Sequence, residues 1–368
     1  MSQATMSKLT TTNPLARDLD NILERTEPLW QELRGRRILI TGATGFFGCW
    51  LLESFAWANR GLNLNAKAVA LSRHPQTLAQ KAPHLAVDPA ITLHVADVRC
   101  DGFPQDTFSH VVHAATAASA ALNQKTPLVM FDAIVTGTRR ALEFAAANSV
   151  RKFLYVSSGA VYGTQPPQLA QLSESFPGGP DPLDPANAYA EGKRSAELLC
   201  ALAASSDLEI KVARCFAFVG PYMQVDAHFA IGNFIRDRLH QRPIRVQGDG
   251  SAVRSYLYAS DLMVWLWTVL FKGQSRRAYN VGSEDAVNIA AVAHAVADAL
   301  PPAVNVNIAS TATSGAPVHR YVPCTARSRE ELSLRAEVPL RDAICRTHAW
   351  FAQQPVTAPA ASARGVHV

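Results

Sequence analysis

Short apolar runs alternate with longer stretches of helical periodicity between residues 36 and 213. Apolar runs bounded by glycine, proline or polar clusters are typical of strands buried on both faces of a parallel sheet. The predicted strands are 38–40, 66–71, 91–95, 109–112, 153–156 and 210–213, and the main predicted helices are 49–58, 127–148 and 187–204. This alternation predicts an α/β fold with a doubly wound, Rossmann-like parallel sheet and right-handed crossovers.

The first predicted strand leads directly into a glycine-rich turn and then into a helix. The turn has the pattern Gly42-x-x-Gly45-x-x-Gly48. Glycine allows a tight turn and close backbone approach, and the helix N-terminus offers free N–H groups to an anion. Glycine triplets are common in turns, but the flanking strand and helix are the context in which such a turn binds a dinucleotide pyrophosphate. The turn residues expected at the cofactor are Gly42, Thr44, Gly45, Phe46, Phe47 and Gly48.

The rest of the chain is organised around this turn. Residues 1–35 predict an N-terminal helical extension, broken at Pro28, that packs on the main domain or on a second subunit. Residues 36–213 are the predicted dinucleotide-binding Rossmann domain. Shorter elements rich in proline and glycine predict a smaller C-terminal α/β lobe over 214–352, which mainly binds substrate. Residues 353–368, rich in alanine, proline and valine, predict a flexible tail.

Ligands of such sheets bind beyond the carboxyl ends of the strands. The second strand ends in Ser72-Arg73 and lacks the carboxylate that usually binds the ribose 2′-hydroxyl of NAD. Because arginine pairs with a 2′-phosphate, the sequence leans to NADP. NAD stays open, since Arg73 can instead stack on adenine or face solvent. Asp97 is placed to accept the adenine amino group or to cap a helix. The cofactor residues expected here are Ser72, Arg73, Asp97, Val98, Ala114 and Ala115.

A phenol and an ammonium lie four residues apart on one predicted helix, at Tyr189 and Lys193. A free phenol titrates near ~10, and a nearby ammonium favours the phenolate. Such a pair can remove a hydroxyl proton while hydride leaves the same carbon. Ser157 and Ser158 follow a predicted strand and can orient that hydroxyl. A solvated helix face is the common reading of such spacing, but the glycine turn and the strand-end serines favour chemistry.

The composition of the chain limits the classes of protein to which it can belong. The chain has 368 residues, 48% of them hydrophobic, which suffices for a large core. The net charge of +5 comes from 35 basic and 30 acidic residues and is too balanced to indicate nucleic-acid binding. Cysteines and histidines lack metal-ligand spacing, so no metal site is expected. Residues 1–13 are polar and do not resemble a secretory signal, and the apolar run 262–271 is half the length of a membrane span. We therefore expect a cytoplasmic protein without membrane contact.

Four motifs in this order resemble the extended short-chain dehydrogenase/reductases. They are Thr-Gly-Ala-Thr-Gly-Phe-Phe-Gly at 41–48, His-Ala-Ala at 113–115, Val-Ser-Ser-Gly-Ala-Val-Tyr-Gly at 156–163 and Tyr189-x-x-x-Lys193. Within that superfamily the chain is similar to the NAD-dependent epimerase/dehydratase family, whose members act on nucleotide sugars. Segments 214–221, 248–261 and 279–282 resemble further motifs of that family.

The resemblance implies roles for individual residues. Tyr189 is the catalytic base or acid, and Lys193 is its partner and holds the nicotinamide ribose. Ser158 corresponds to the serine or threonine that binds the reacting sugar hydroxyl. Arg254 corresponds to the arginine that binds the nucleotide diphosphate, a contact that suits the guanidinium fork, and Asn233 assists it. The resemblance also implies a nucleotide-diphosphate sugar as substrate and a homodimer formed through helices 127–148 and 187–204.

Departures from the family pattern limit the choice among the reactions that family members catalyse. Gly159-Ala160 stands where 4,6-dehydratases carry Asp-Glu and where decarboxylases carry Glu. The missing acid or base would contribute ~10²–10⁴ in rate, so dehydration and decarboxylation are disfavoured. The hypothesis of epimerisation at C4 through a 4-keto intermediate is slightly favoured. The alternative hypothesis is an NADPH-dependent reductase of 4-keto nucleotide sugars that uses the same Tyr189 and Lys193. A non-catalytic dinucleotide-binding scaffold is a third hypothesis, against which the intact Ser158, Tyr189 and Lys193 argue.

Overall fold

The computed structural model describes residues 13–116, 120–225, 229–310 and 318–354. Its largest feature is a sheet of seven parallel strands with helices on both faces. The strands of all the sheets in the described residues, numbered in chain order, are β1 (Arg37–Thr41), β2 (Lys67–Ser72), β3 (Ile91–Val95), β4 (His110–His113), β5 (Lys152–Ser158), β6 (Glu209–Cys215), β7 (Phe218–Val219), β8 (Ile244–Val246), β9 (Val253–Arg254), β10 (Leu257–Tyr258), β11 (Arg277–Val281), β12 (Val287–Asn288), β13 (Val306–Ile308) and β14 (Arg320–Tyr321).

The helices of the described residues connect these strands and cover the sheet. Three short 3-10 segments, Glu27–Leu33, Gly159–Tyr162 and Pro185–Asn187, supplement them. The helices are α1 (Ala16–Thr26), α2 (Phe46–Gly61), α3 (Gln76–Lys81), α4 (Pro83–Ala86), α5 (Ala120–Lys125), α6 (Pro127–Ala147), α7 (Ala188–Ala203), α8 (Ala230–Leu239), α9 (Ala259–Lys272), α10 (Ile289–Ala297), α11 (Ala326–Leu332) and α12 (Leu340–Ala352).

The sheet confirms the predicted α/β fold. Its strand order is β11-β6-β5-β4-β1-β2-β3, so the order reverses between β1 and β4, where β1 pairs with both β2 and β4. All six strands predicted from apolar runs are present within a few residues of the expected bounds. The seventh, β11, lies beyond residue 214 and returns to pair with β6, with Tyr279 opposite Ala213. The chain beyond residue 214 therefore contributes to the large sheet as well as to the smaller elements.

Helix α9 lies in the middle of the main core. Its residues from Ala259 to Phe271 are buried, which is why the sequence is apolar on every side of this helix. In the part of the chain that the structure describes, no helix is both long and apolar enough to cross a bilayer.

The N-terminal extension packs on the main domain of its own chain. The Trp30 indole is fully buried and its ring centroid lies 4.6 Å from that of Trp267 on α9. Asp18 on α1 accepts hydrogen bonds from Tyr258 (2.7 Å) and from Arg346 (2.7 Å). Because these partners come from residues far apart in the sequence, the extension joins the first and last parts of the described chain.

Small strands assemble beside the large sheet. The order β12-β9-β14 forms a three-stranded sheet in which Arg254 pairs with Val287 on one side and with Tyr321 on the other. Helices α8, α10 and α12 surround a separate apolar cluster next to these strands. Arg254 and Tyr321 are thus adjacent, although 66 residues separate them in the sequence.

Candidate active site

The glycine turn forms a backbone cradle at the carboxyl end of β1. A Cβ on Gly42, whose φ is +70°, would lie 2.6 Å from the Ala114 carbonyl oxygen, and a Cβ on Gly48 would lie 2.4 Å from Ala43. At Gly45 a Cβ would meet only the Gly42 oxygen, at 3.4 Å, so the space beside it is open. Helix α2 begins at Phe46 without a side-chain cap. The turn therefore offers N–H groups and free space, and it fits a dinucleotide pyrophosphate.

The loop after β4 lies against this turn. The Ala115 N–H donates to Thr41 Oγ1 (3.2 Å), and Thr41 Oγ1 also contacts His113 Nδ1 (2.8 Å). Burial, with a smaller effect from Lys193, lowers the pKa of His113 to about 3, so its ring is neutral at physiological pH. Ala114 and Ala115 thus lie at the cradle, as the sequence predicted for cofactor residues.

The predicted adenine side of the cradle is more exposed. Ser72 Oγ lies 3.0 Å from Thr44 Oγ1, and Arg73 is exposed at the end of β2. Asp97 accepts hydrogen bonds from the Arg99 backbone N–H (2.9 Å) and guanidinium (2.8 Å), and this contact lowers its pKa. It therefore stabilises a turn, and the alternative that it caps a helix is wrong. Its contact with adenine stays a prediction.

Ser158, Tyr189 and Lys193 converge although two elements carry them. Ser158 ends β5, while Tyr189 and Lys193 lie one turn apart on α7. The Lys193 ammonium lies 5.9 Å from the centre of the Tyr189 ring. Burial raises the pKa of Tyr189, and a hydrogen bond with Ser158 opposes that rise. The predicted serine, phenol and ammonium are thus assembled at one place.

The Lys193 ammonium is buried and held by two oxygen atoms. It donates to Val156 O (2.7 Å) and to Thr116 Oγ1 (2.9 Å). Burial lowers the pKa of Lys193 to about 8, so the group is still mainly charged at pH 7. Sequence reasoning missed Thr116, although it directly follows the His-Ala-Ala motif that ends β4.

A charged network fixes the end of β5. Glu197 on α7 accepts hydrogen bonds from Ser157 Oγ (2.6 Å) and from two nitrogens of Arg214 (2.7 and 3.1 Å). Arg214 also donates to the Tyr162 hydroxyl (3.0 Å), which in turn donates to Asn280 (2.7 Å). Ser157 therefore serves this scaffold, and Ser158 is left to face Tyr189. Sequence reasoning missed Glu197, whose only signal is its place one turn after Lys193.

Gly159 faces an aromatic pair. A Cβ at this position would lie 2.6 Å from the Tyr321 hydroxyl oxygen and 2.8 Å from the Phe216 ring. The rings of Tyr321 and Phe216 are 4.6 Å apart. The space that a dehydratase aspartate would enter is thus already occupied. Tyr321 also has no counterpart among the residues predicted from the sequence.

The residues predicted to bind the diphosphate lie on neighbouring elements. Asn233 lines a cavity of about 910 Å³ between α8 and the segment 242–252, together with Arg236, Arg242 and Arg245. Arg254 lies on β9, directly after that segment, and its guanidinium donates to Val253 O (2.8 Å) and His319 O (3.2 Å). None of Ser158, Tyr189 or Lys193 lines this cavity, so it is distinct from the site that they form.

The parallel sheet, the glycine cradle and the Ser158–Tyr189–Lys193 group define an NAD(P)-dependent enzyme of the extended short-chain dehydrogenase type. A model of the "NAD dependent epimerase/dehydratase family" matches residues 38–282, more than half of the chain. The protein belongs to this family.

The chain is similar to proteins whose names describe three different reactions of nucleotide sugars. The chain is 27% identical over 324 residues to UDP-glucuronic acid decarboxylase 2 of Arabidopsis thaliana, covering 86% of this chain and 68% of that one. It resembles the structure of a UDP-glucose 4-epimerase from Thermotoga maritima with UDP-glucose (TM-score 0.70, 19% identity, 86% and 98% coverage). It also resembles a dTDP-glucose 4,6-dehydratase from Streptomyces venezuelae with NAD bound (TM-score 0.71, 23% identity, 86% and 96% coverage). Both structural likenesses concern the fold.

Proposed function

We propose that the protein is a nucleotide-sugar epimerase that acts at C4 through a 4-keto intermediate. The observation that carries this proposal is the convergence of Ser158, Tyr189 and Lys193 at a site where Gly159 and Ala160 provide no carboxylate. Oxidation and reduction at one carbon need a single base that returns its proton, whereas elimination of water needs a further acid and base.

In the proposed reaction Ser158 binds the sugar 4-hydroxyl and the Tyr189 phenolate takes its proton. The bound nicotinamide supplies the chemistry of hydride acceptance and return. Lys193 favours the phenolate through its charge, which matters because burial raises the pKa of Tyr189. After the ketone turns in the site, Tyr189 returns the same proton to the oxygen. The nucleotide diphosphate is held by Arg254 with Asn233, and either NAD or NADP serves, with Arg73 favouring NADP.

Decarboxylation of a nucleotide glucuronate is the second candidate, since the Arabidopsis relative bears that name. Oxidation of such a sugar at C4 places a ketone β to the carboxylate, and β-keto acids lose carbon dioxide. Against it, Ala160 occupies the position where the family decarboxylases carry glutamate. The third candidate function, an NADPH-dependent reductase of 4-keto nucleotide sugars, is supported only by the exposed Arg73 at the end of β2.

One panel of reactions separates these functions. The purified protein is mixed with uridine, thymidine, guanosine and cytidine diphosphate sugars, including UDP-glucuronic acid and 4-keto sugars, with NAD or NADP. Inversion at C4 without net change in cofactor supports the epimerase. Release of carbon dioxide from UDP-glucuronic acid supports the decarboxylase, and stoichiometric loss of NADPH supports the reductase. Either of the last two outcomes without C4 inversion would overturn the proposal.

The homodimer is a further proposal. Four large apolar side chains on α6 and α7 are exposed to solvent. They are Leu128 (77% exposed), Val129 (45%), Leu198 (61%) and Leu202 (73%). Apolar side chains grouped at a surface often mark a protein–protein interface. These two helices are also the ones through which the family resemblance implies dimerisation.

A further inference from the structure

Tyr321 enters the reacting centre from a strand far along the chain. It ends β14, opposite Arg254 on β9, and its ring packs on Phe216 with centroids 4.6 Å apart. The pairing with Arg254 and the packing on Phe216 together fix where the phenol points. Its hydroxyl reaches the end of β5, where a Cβ on Gly159 would lie 2.6 Å from it.

The phenol explains why residue 159 is glycine. Gly159 begins a 3-10 segment, a conformation that any residue adopts, so its backbone does not require glycine. What a side chain there would meet is the Tyr321 oxygen at 2.6 Å and the Phe216 ring at 2.8 Å. Space for the phenol is therefore the physical reason for the missing Cβ.

Counting hydrogen bonds at Ser158 assigns a direction to its proton. A serine hydroxyl has one proton to donate and two lone pairs to accept with. The Ala160 N–H donates to Ser158 Oγ at 3.1 Å and occupies one lone pair. The Tyr189 and Tyr321 phenols both lie near Ser158, and contact with Ser158 opposes in each the larger rise in pKa that burial causes. The single serine proton can be donated to only one of them. If the Tyr321 hydroxyl fills the second lone pair, the serine proton is directed to the oxygen of Tyr189.

We propose that Tyr321 is a positioning residue of the reacting centre, whose hydroxyl donates to Ser158 Oγ and thereby directs the Ser158 proton to the Tyr189 phenolate. The proposal rests on the role of Tyr189 in the proposed function. The relay runs from Tyr321 through Ser158 to Tyr189, and it stabilises negative charge on the last oxygen. It gives the centre a neutral donor where related enzymes carry carboxylates.

Other ionisable groups face the two phenols and stay in place when the relay is broken. Lys193 and Cys215 face Tyr189, while Arg254 and Cys215 face Tyr321. Tyr321→Phe removes the donor oxygen and keeps the ring on Phe216. A change in the titration of Tyr189 in this variant is therefore attributable to the relay.

The test measures the pKa of Tyr189 by ultraviolet difference titration of the holoprotein. The phenolate absorbance of the parent minus that of Tyr189→Phe isolates this residue, and the same difference is taken in the Tyr321→Phe background. We expect Tyr321→Phe to raise the pKa of Tyr189 by about one unit, which lowers the phenolate population at pH 7 about tenfold. Turnover should fall by a similar factor at pH 7 and recover at higher pH. An unchanged pKa of Tyr189 would overturn the proposal.

Two further variants separate the relay from structural damage. Gly159→Ala keeps every hydroxyl but displaces the phenol, so it should raise the pKa of Tyr189 as Tyr321→Phe does. Combining both changes should add little, because coupled changes are not additive; a fully additive shift would contradict the relay. Tyr222→Phe, which removes a buried phenol bonded to Glu53 (2.6 Å), is the matched control and should leave the titration unchanged. If Tyr189→Phe itself keeps full turnover, the proposed function fails, while the titration still tests Tyr321.

Discussion

The Lys193 ammonium lies 2.9 Å from Thr116 Oγ1 and 2.7 Å from Val156 O, so it joins α7 to the ends of β4 and β5. These contacts hold a buried charge beside the Tyr189 ring. The position of the charge relative to the phenol is therefore set by the sheet as well as by the four-residue spacing on the helix. That arrangement makes Thr116 part of the chemistry, although it bears no ionisable group.

Thr116→Val should lower turnover by about tenfold, because a hydrogen bond to a charged group contributes roughly 1.5–3 kcal/mol. Thr116→Ser keeps the hydroxyl and should stay close to the parent. Steady-state kinetics with the substrate identified by the sugar panel measure both. Equal turnover in the valine and serine variants would show that the Val156 carbonyl alone positions the ammonium.

Gly42→Ala should weaken cofactor binding by at least about tenfold, or ~1.4 kcal/mol, since its Cβ would lie 2.6 Å from the Ala114 oxygen. Gly35→Ala is a matched control, because Gly35 has a similar φ of +64° but open space around it. The control should lose about 1–2 kcal/mol of folding stability through backbone strain and keep its cofactor affinity. Calorimetric titration with NAD and NADP gives the affinities; equal losses in both variants would contradict the close approach.

Trp30→Ala should lower the free energy of unfolding by about 3–5 kcal/mol, the usual cost of emptying a large buried aromatic site. Trp30 is fully buried, its Nε1 donates to Thr26 Oγ1 (2.8 Å), and its ring packs on Trp267. Val87→Ala, at a residue that is 80% exposed, is the control and should change stability by less than about 0.5 kcal/mol. Denaturant unfolding measures both, and a small effect at Trp30 would mean that the extension contributes little to the core.

Glu32 should make stability depend on pH. The nearby His110 ring, and then the Lys152 ammonium, lower the pKa of Glu32 from 4.5 to about 2 against the opposing effect of burial. Lys152 is the closer partner, with Nζ 2.7 and 2.9 Å from the two carboxylate oxygens, whereas His110 Nε2 is 3.8 Å away. Because the folded pKa lies below the unfolded one, the ionised group stabilises the native state above pH 4.5, and that contribution is lost between pH 4.5 and 2.

The corresponding variant is Glu32→Gln. Its Tm should be lower than that of the parent at pH 7, and the gap should close as the pH falls below 4.5. The exposed Glu330 on α11 provides the control Glu330→Gln, whose gap should not vary in this way. Thermal melts across this pH range would contradict the account if the Glu32 gap widened on acidification.

The sequence predicted the sheet because each strand is a short apolar run between polar breaks, and the glycine turn because its neighbours are a strand and a helix. Strand β11 is not predicted from the pattern, since Tyr279 and Asn280 interrupt the apolar run; the segment only resembles a family motif. Tyr189 and Lys193 were predictable from local spacing on one helix. The structure brings them close to Ser158 at the end of β5, and their roles in catalysis stay predictions.

What the sequence could not supply are contacts made by the fold between distant residues. Thr116 meets Lys193 across 77 positions, and Tyr321 meets Gly159 from a two-residue strand without periodicity. Local sequence patterns thus predict which residues form the site, and packing between distant residues determines their positions.

The most direct test of the account compares Tyr189→Phe with the parent. The variant keeps the ring beside Lys193 and loses only the oxygen that takes the proton. Turnover of the true nucleotide sugar should fall by at least ~10²–10⁴, the usual contribution of a positioned base, while the affinity for the dinucleotide changes little. Full turnover in Tyr189→Phe, with the cofactor bound as tightly as in the parent, would contradict the role of this phenol and the account built on it.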